Sequence, residues 1–192
     1  AFSSTARDID TLADGAQDIY VGDLDGDGDL DIDSAPKNDD SIAWYELDGA
    51  RNPICTAKDI ASTAADAPEA HIAETEGDGD LDIVQASDKM RNQIHLNDGK
   101  GKFGPALFFG SVASNTRSIA VVDINQDGSP DILEVSRGTQ NLIFLNDGAG
   151  SFPTMAEDDR EPLSFGAVED RTLNVAVADM NGDGLMDLVL AN

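Results

Sequence analysis

Residues 123–131 read Asp-Ile-Asn-Gln-Asp-Gly-Ser-Pro-Asp, an acidic loop with oxygen-bearing side chains at positions 1, 3, 5 and 9 and glycine at position 6. The same pattern recurs at 23–31, 74–82 and 179–187. Position 6 must turn sharply, and glycine adopts the required backbone angles at little cost. Hard cations such as Ca2+ take six to eight oxygen ligands. The four loops, numbered acidic loops 1 to 4 in chain order, therefore predict three to four bound calcium ions.

The predicted ligands are the side chains at positions 1, 3, 5 and 9. In acidic loops 1 and 2 they are Asp23, Asp25, Asp27 and Asp31, and Glu74, Glu76, Asp78 and Asp82. In acidic loops 3 and 4 they are Asp123, Asn125, Asp127 and Asp131, and Asp179, Asn181, Asp183 and Asp187. Glu74 and Glu76 carry an extra methylene that crowds a cage sized for aspartate, so acidic loop 2 is expected to be the weakest site or to stay empty.

The composition fits a metal-dependent extracellular protein. The chain has 38 acidic and 12 basic residues, for a net charge of -26. This charge repels nucleic acid and anionic membranes, and no apolar run is long enough to cross a bilayer. The single cysteine, Cys55, excludes an internal disulfide and is expected to be a small buried hydrophobe. Because the sequence opens with Ala1 rather than Met, we expect a mature or excised segment.

The spacing of the loops indicates a repeat architecture. They begin at residues 23, 74, 123 and 179, at intervals of 51, 49 and 56 residues, and a period of about 50 is typical of propellers and other arrays. Short apolar, β-rich runs flank each loop, for example Ile119–Val122 before acidic loop 3 and 131–133 after it. Each loop is therefore predicted to join two strands.

A third strand and a turn follow in the first three repeats. The third strands end in Asp-Gly at 48–49, 98–99 and 147–148, a strong hairpin signal. Phe103 and Phe152, five residues after the last two of these aspartates, are expected to open the fourth strand. The predicted fold class is therefore all-β, a β-propeller built from four-stranded antiparallel blades.

The spacing of the loops and strands also predicts how the chain divides into repeats. It predicts one propeller domain over 1–192, with repeats near 11–61, 62–111, 112–165 and 166–192 and a lone fourth strand at 2–10. The last blade lacks its third strand and is incomplete. We therefore expect a segment of a larger ring, pairing with another chain, or an irregular last blade.

The loop pattern between two strands, followed by a strand ending in Asn-Asp-Gly and by Phe-Gly-Pro-Ala at 103–106, resembles the FG-GAP and VCBS-type repeats of integrin α-chain propellers and of many secreted proteins. The resemblance implies that the carbonyl of position 7 joins the calcium ligands. Those residues are Asp29, Asp80, Ser129 and Leu185. It also implies a secreted or cell-surface setting in adhesion, carbohydrate recognition or scaffolding.

Two other calcium motifs fit poorly. An EF-hand needs a glutamate at position 12 and flanking helices, whereas position 12 is Ser34, Gln85, Glu134 and Leu190, and the flanks are β-rich. The tandem glycine-rich nonapeptides of a β-roll are missing.

Evidence for catalysis is weak. His71 and His95 occupy strand positions filled by Tyr20 and Phe144 in other repeats, so packing explains both histidines better than chemistry. Trp44 and Tyr45 could stack on a sugar, although core packing is the favoured reading. The rival function is a propeller enzyme, such as a sugar lyase or dehydratase, or a non-catalytic domain of one.

Six basic residues fall in the links expected on the face opposite the calcium loops. They are Lys37, Lys89, Arg91, Arg117, Arg137 and Arg171. They form either an ordinary solvated surface or a face for anionic or polyhydroxylated ligands. The sequence thus predicts an extracellular calcium-binding propeller with a glycan or protein partner.

Overall fold

The computed structural model describes residues 16–36, 42–47, 58–61, 69–112, 114–153, 160–168 and 171–192. All regular elements in these ranges are β-strands, as predicted. The first sheet, blade 1, contains β1 (Ala16–Gly22), β2 (Asp31–Pro36), β3 (Ile42–Tyr45) and β4 (Lys58–Ala61). Blade 2 contains β5 (Ala70–Ala73), β6 (Asp82–Gln85), β7 (Asn92–His95) and β8 (Leu107–Phe109).

Blade 3 repeats this arrangement, and blade 4 has two described strands. Blade 3 contains β9 (Thr116–Val122), β10 (Asp131–Ser136), β11 (Asn141–Phe144) and β12 (Leu163–Phe165). Blade 4 contains β13 (Asn174–Ala178) and β14 (Asp187–Ala191). Strands pair with their sequence neighbours in antiparallel order within each sheet. Such consecutive four-stranded meanders are the blades of a β-propeller, which confirms the predicted fold class.

Each acidic loop joins the first and second strands of its blade. The glycine at position 6 has a φ of 93° at Gly28, 94° at Gly79, 96° at Gly128 and 87° at Gly184. Position 4 is also left-handed, and in acidic loop 3 it is a non-glycine residue, Gln126, with a φ of 62°. The tight double turn returns the chain antiparallel to itself and gathers the odd-numbered side chains on one side.

The expectation that Phe103 and Phe152 open the fourth strand is wrong. The fourth strands begin later, at Leu107 and Leu163. The Asp-Gly turn closes on itself, since the N–H of Asp98 donates to the carbonyl of Lys102 at 3.2 Å, and Asp147 donates to Ser151 at 3.3 Å. The aromatic residue that follows packs inward at the interface with the preceding blade, and Phe103 makes a single isolated antiparallel bridge with Asn97.

The hydrophobic core lies between successive blades. Ala35 and Ile42 of blade 1 pack with Ala70 and Ile83 of blade 2. A second cluster joins Val84 and Ile94 of blade 2 to Ile132, Leu142 and Phe144 of blade 3. A third joins Leu133 and Val135 to Val175 of blade 4. Both faces of an inner blade are therefore buried, and every residue of β6 and β10 is buried although half of them are polar or charged.

The incomplete last blade is observed as predicted. Among the described residues, β14 pairs with β13 alone. The predicted strand at 2–10 lies outside the described residues, as does Lys37.

Candidate metal loops

The position-1 carboxylate organises three of the four acidic loops. Asp23 accepts N–H bonds from Gly26 at 2.8 Å and from Gly28 at 3.0 Å. Asp123 and Asp179 each accept the equivalent bond from the position-6 glycine at 2.9 Å. These bonds lower the pKa of Asp179, chiefly through the N–H of Gly184. Since a carboxylate has about four acceptor sites, each can hold the turn and still ligate a cation.

Positions 3 and 5 cap the turn in the same way. The position-5 carboxylate accepts the N–H of position 7, at 2.8 Å for Asp27 and 2.9 Å for Asp127. The same bond is 2.9 Å at Asp78 and 2.8 Å at Asp183. The side-chain oxygens of Asn125 and Asn181 accept the N–H of position 5 at 2.8 Å. The ligand candidates are thus held by the loop backbone before any ion binds.

Position 9 links its loop to the third strand. Asp31 is fully buried and accepts N–H bonds from Leu24 at 2.9 Å and Leu47 at 3.0 Å. Asp82 does the same with Thr75 and Asn97, and Asp131 with Ile124 and Asn146. In blade 4, Asp187 accepts the N–H of Met180 at 2.9 Å. Burial nevertheless raises the pKa of Asp31, Asp82 and Asp131. The carboxylate at position 9 therefore has a structural role as well as a predicted metal-binding role.

Acidic loop 2 is organised differently. Glu74 uses one oxygen, Oε1, to accept the N–H groups of Glu76 and Gly77. In the other three loops the position-1 aspartate accepts the N–H of the position-6 glycine. Glu74 instead accepts only the N–H groups at positions 3 and 4. Glu76 has a raised pKa, first through burial and then through the charges of Asp78, Asp82 and Glu74. This geometry is consistent with a weak site, which stays a prediction.

Acidic loop 1 gathers three carboxylates most closely. One oxygen each from Asp23, Asp25 and Asp27 lies within 4.8 Å of the others. Burial and the negative charges of Asp27 and Asp23 raise the pKa of Asp25. An all-oxygen set under mutual repulsion suits a hard divalent cation, which would relieve that repulsion. The four position-7 residues directly follow the position-6 glycine of each loop, and ligation through their carbonyl oxygens stays a prediction. They are Asp29, Asp80, Ser129 and Leu185.

Two asparagines that the sequence did not single out connect neighbouring blades. Asn97 donates to the carbonyls of Leu24 at 2.7 Å and Leu81 at 3.0 Å. Asn146 donates to Thr75 at 2.8 Å and Pro130 at 3.0 Å. The available signal is the Asn before Asp-Gly in two repeats, a sequence that by itself predicts only a hairpin turn.

Among the described residues, three of the basic side chains of the predicted ligand-binding set have acceptors nearby. Arg117 donates to Asp88 at 3.1 Å, and the Lys89 ammonium lies 3.9 Å from the same carboxylate. Arg91 donates to the carbonyl of Phe108 at 3.0 Å. Arg137 and Arg171 are exposed and form a backbone bridge between blades 3 and 4. Of the five described residues in this set, Lys89, Arg137 and Arg171 are exposed, whereas Arg91 and Arg117 are half-buried.

His95 and Trp44 lie in the core, and His71 is half-buried. His95 is 2% exposed, Trp44 is 1% exposed, and the ring of His71 packs at a tilt against Tyr20 with centroids 4.3 Å apart. Burial lowers the pKa of both histidines, that of His95 to about 4. These positions favour packing over sugar stacking or proton transfer. No helix in the described ranges has the length and apolar character needed to cross a membrane.

Solved structures share this architecture at low sequence identity. An Agrocybe aegerita lectin, described as recognising non-reducing terminal N-acetylglucosamine, is 20% identical with a TM-score of 0.59 over 88% of this chain. BBS1N, solved in complex with ARL6DN, is 12% identical with a TM-score of 0.61 over 95%. The V. cholerae biofilm matrix protein Bap1 is 18% identical with a TM-score of 0.50 over 92%. The chain spans only 45%, 53% and 28% of these proteins, respectively.

Sequence comparison identifies the repeats. No curated protein matches the sequence. The profile of the FG-GAP-like repeat matches residues 76–134 and again 123–190. These two matches contain acidic loops 3 and 4 entire and most of acidic loop 2, and together they span more than half of the chain. With the four-stranded blades and the capped acidic loops, they show that the chain belongs to the FG-GAP-like repeat family.

Proposed function

We propose that this chain is a calcium-binding propeller module that recognises a glycan or protein partner outside the cell. The observation that carries the proposal is that hydrogen bonds within the acidic loops already order their carboxylates. Their backbone N–H groups already hold carboxylates at positions 1 and 5, so little ordering is left for an ion to impose. Preorganisation of this kind lowers the cost of binding.

Calcium would act mainly as a structural ion. The loops lie in a chain of net charge -26, and bound divalent cations reduce the self-repulsion that opposes compaction. Extracellular calcium modules commonly have Kd values of about 0.1 to 1 mM. A site held at ten times its Kd adds about 1.4 kcal/mol to the free energy of unfolding.

The test is thermal unfolding at several calcium concentrations against excess chelator. Tm is expected to rise with calcium, and Asp127→Ala and Asp183→Ala are each expected to remove one loop's share of the increase. Glu161→Ala, which removes an exposed carboxylate outside the loops, is the control and should keep the full response. A melting curve that is the same in calcium and in chelator would refute the calcium role.

The partner class follows from the shared fold and from the charge of the chain. A lectin and a biofilm matrix protein share the fold, and the acidic composition disfavours nucleic acid and anionic lipid. Among the described basic link residues, Lys89, Arg137 and Arg171 are exposed. Arg137, between β10 and β11, forms a backbone bridge with Arg171, between blades 3 and 4. Glycan-array binding with and without Arg137→Ala and Arg171→Ala tests this part. Equal binding of every glycan by parent and variant would remove these residues from the site.

We also propose that the chain divides into four repeats, with boundaries near 11–61, 62–111, 112–165 and 166–192. We propose further that it assembles with another chain or with additional blades, because β14 has one paired neighbour among the described strands. Size-exclusion chromatography with light scattering measures this assembly directly.

A further inference from the structure

A cavity of about 300 Å3 opens at the interface between blades 2 and 3. Its lining is mainly apolar and includes Ile94, Leu107, Phe109, Ala149, Gly150 and Phe152. The rings of Phe109 and Phe152 lie 6.4 Å apart at 40°. Leu107 is 42% exposed, so an apolar side chain lies where the lining meets solvent. The volume is at the lower end of the range for ligand pockets.

At the interface between blades 1 and 2, the position that corresponds to this cavity is filled by a tryptophan side chain. In blade 1, Trp44 pairs with Asp33 on one side and Lys58 on the other. In blade 2, Ile94 pairs with Val84 and Leu107 in the same register. Ile94 and Leu107 therefore correspond to Trp44 and Lys58.

The turn that covers this place is also repeated. Residues 98–103 and 147–152 align residue for residue, which makes Gly150 the counterpart of Gly101. A Cβ atom built on Gly101 would lie 2.3 Å from the Trp44 indole, so the ring packs directly against that backbone. The three atoms nearest to a Cβ built on Gly150 all belong to Glu76 instead.

The two interfaces thus differ in one large side chain. In the first, a buried indole fills the space under the turn, with the Lys58 ammonium 4.1 Å from the ring centroid. In the second, the shorter Ile94 leaves an open space under the same type of turn, beside two phenylalanine rings. The lining can contact a flat apolar group on several sides, and aromatic rings gain from such offset and tilted arrangements.

We propose that this cavity binds a planar aromatic group of about the size of an indole, presented by a partner protein as a tryptophan or similar side chain. A single aromatic residue inserted in a pocket is a common anchor of protein interfaces. The proposal rests on the proposed function as a recognition module, and it specifies the chemistry of the partner at one site. None of the lining residues belongs to an acidic loop, but Gly150 lies against Glu76 of acidic loop 2, so calcium is held constant in the test.

The experiment uses N-acetyltryptophanamide as the probe and the full chain at fixed calcium. Amide shifts in 1H–15N NMR spectra are expected to change saturably at Leu107, Ala149 and Gly150, with a Kd on the order of 1 mM. Ile94→Trp should abolish these changes, since it places in the cavity the residue that fills the equivalent space in blade 1. Leu107→Lys, which copies Lys58 and would place an ammonium against the bound ring as in blade 1, should strengthen binding about two- to five-fold.

Leu163→Lys is the matched control. Leu163 holds the equivalent position in β12, is 52% exposed and lies outside the cavity lining, so binding should be unchanged. If Ile94→Trp does not fold, the comparison of Leu107→Lys with Leu163→Lys decides. The proposal is overturned by a folded Ile94→Trp variant that binds with parental affinity, or by absence of shifts in the parent at about 10 mM probe. The proposal would also be overturned if N-acetylglucosamine shifted the same amides and the probe did not. That result would assign the cavity to a sugar.

The outcome is separable from that of the proposed calcium role. Calcium-dependent melting with no aromatic binding would reject only this inference. Aromatic binding with calcium-independent melting would reject only the calcium role.

Discussion

The side-chain amide of Asn146 donates to the carbonyl oxygen of Thr75 at 2.8 Å, although the two residues are 71 positions apart in the chain. The same amide donates to Pro130 in its own blade at 3.0 Å. One side chain therefore fastens acidic loop 2 to the end of acidic loop 3. Asn97 makes the corresponding pair of bonds between acidic loops 1 and 2. Acidic loops 1 and 2 are thus each held by a side chain of the following blade.

Replacing Asn146 with alanine should destabilise the protein by about 1 to 3 kcal/mol, because two carbonyl oxygens lose their partner in a buried setting. Chemical unfolding in chelator, which removes any contribution from calcium, measures this difference. Asn174→Ala is the control, since Asn174 is an exposed strand residue, and it should change stability by less than about 0.5 kcal/mol. Equal effects of the two substitutions would show that the Asn146 bonds contribute little.

The sequence predicts the parts of the fold that depend on local chemistry. Glycine at position 6, aspartates around it and Asp-Gly after the third strand are short-range signals, and the strands flanking them are found where expected. The same signals could not show that Asn97 and Asn146 bond to the preceding blade, because register between blades is a tertiary property. The same limit applies to Phe103 and Phe152: both are β-formers by type, but each packs in a cluster between two blades, which the local sequence does not show.

Two buried aspartates on β2 should respond to substitution in opposite directions. Asp31 accepts two backbone N–H bonds, whereas neither oxygen of Asp33 has a partner of hydrogen-bond geometry, although Asp33 is 1% exposed. Burial raises the pKa of Asp33 to about 7, offset in part by the nearby Ser34 N–H. Val84 and Leu133 hold the equivalent positions in blades 2 and 3.

Asp33→Val should therefore stabilise the protein by about 1 to 3 kcal/mol at neutral pH, since it removes an unpaired buried polar group. Asp31→Val should destabilise it by at least a similar amount, because two N–H groups lose their acceptor. Denaturant unfolding in chelator compares both with the parent. A destabilised Asp33→Val variant would mean that its carboxylate has a partner in solution.

His95 should make stability depend on pH. Burial lowers its pKa from 6.5 to about 4, so the folded protein keeps the imidazole neutral while the unfolded chain protonates it. The folded state binds fewer protons in this range. The contribution of His95 is therefore complete above about pH 6.5 and is lost as the pH falls through 4, with an upper limit of about 3 kcal/mol.

The matched variant is His95→Phe, because Phe144 occupies the same register position in blade 3. Other groups titrate in the same range, so the measurement is the difference in unfolding free energy between parent and variant at pH 7.5 and pH 4.5. The variant should gain stability relative to the parent at the lower pH. A difference that does not change with pH would show that His95 is protonated in the folded state or exposed to solvent.

The four acidic loops should fill with calcium at different concentrations. In acidic loops 1, 3 and 4 an aspartate accepts the N–H of the position-6 glycine at 3.0, 2.9 and 2.9 Å, while Glu74 bonds earlier residues of its own loop. The longer side chains of Glu74 and Glu76 leave less room for an ion. The amide resonances of Gly28, Gly79, Gly128 and Gly184 report each loop separately during a calcium titration. Gly79 should respond last.

Shortening both side chains tests the cause. Glu74→Asp with Glu76→Asp should move the Gly79 midpoint into the range of the other three glycines, because the carboxylates then match the reach of their counterparts in acidic loops 1 and 4. The midpoints of Gly128 and Gly184 should stay unchanged and serve as internal controls within the same sample. The prediction fails if Gly79 of the parent responds at the same calcium concentration as the other three glycines. In that case the glutamates ligate calcium as well as the aspartates do, and side-chain length does not determine the affinity.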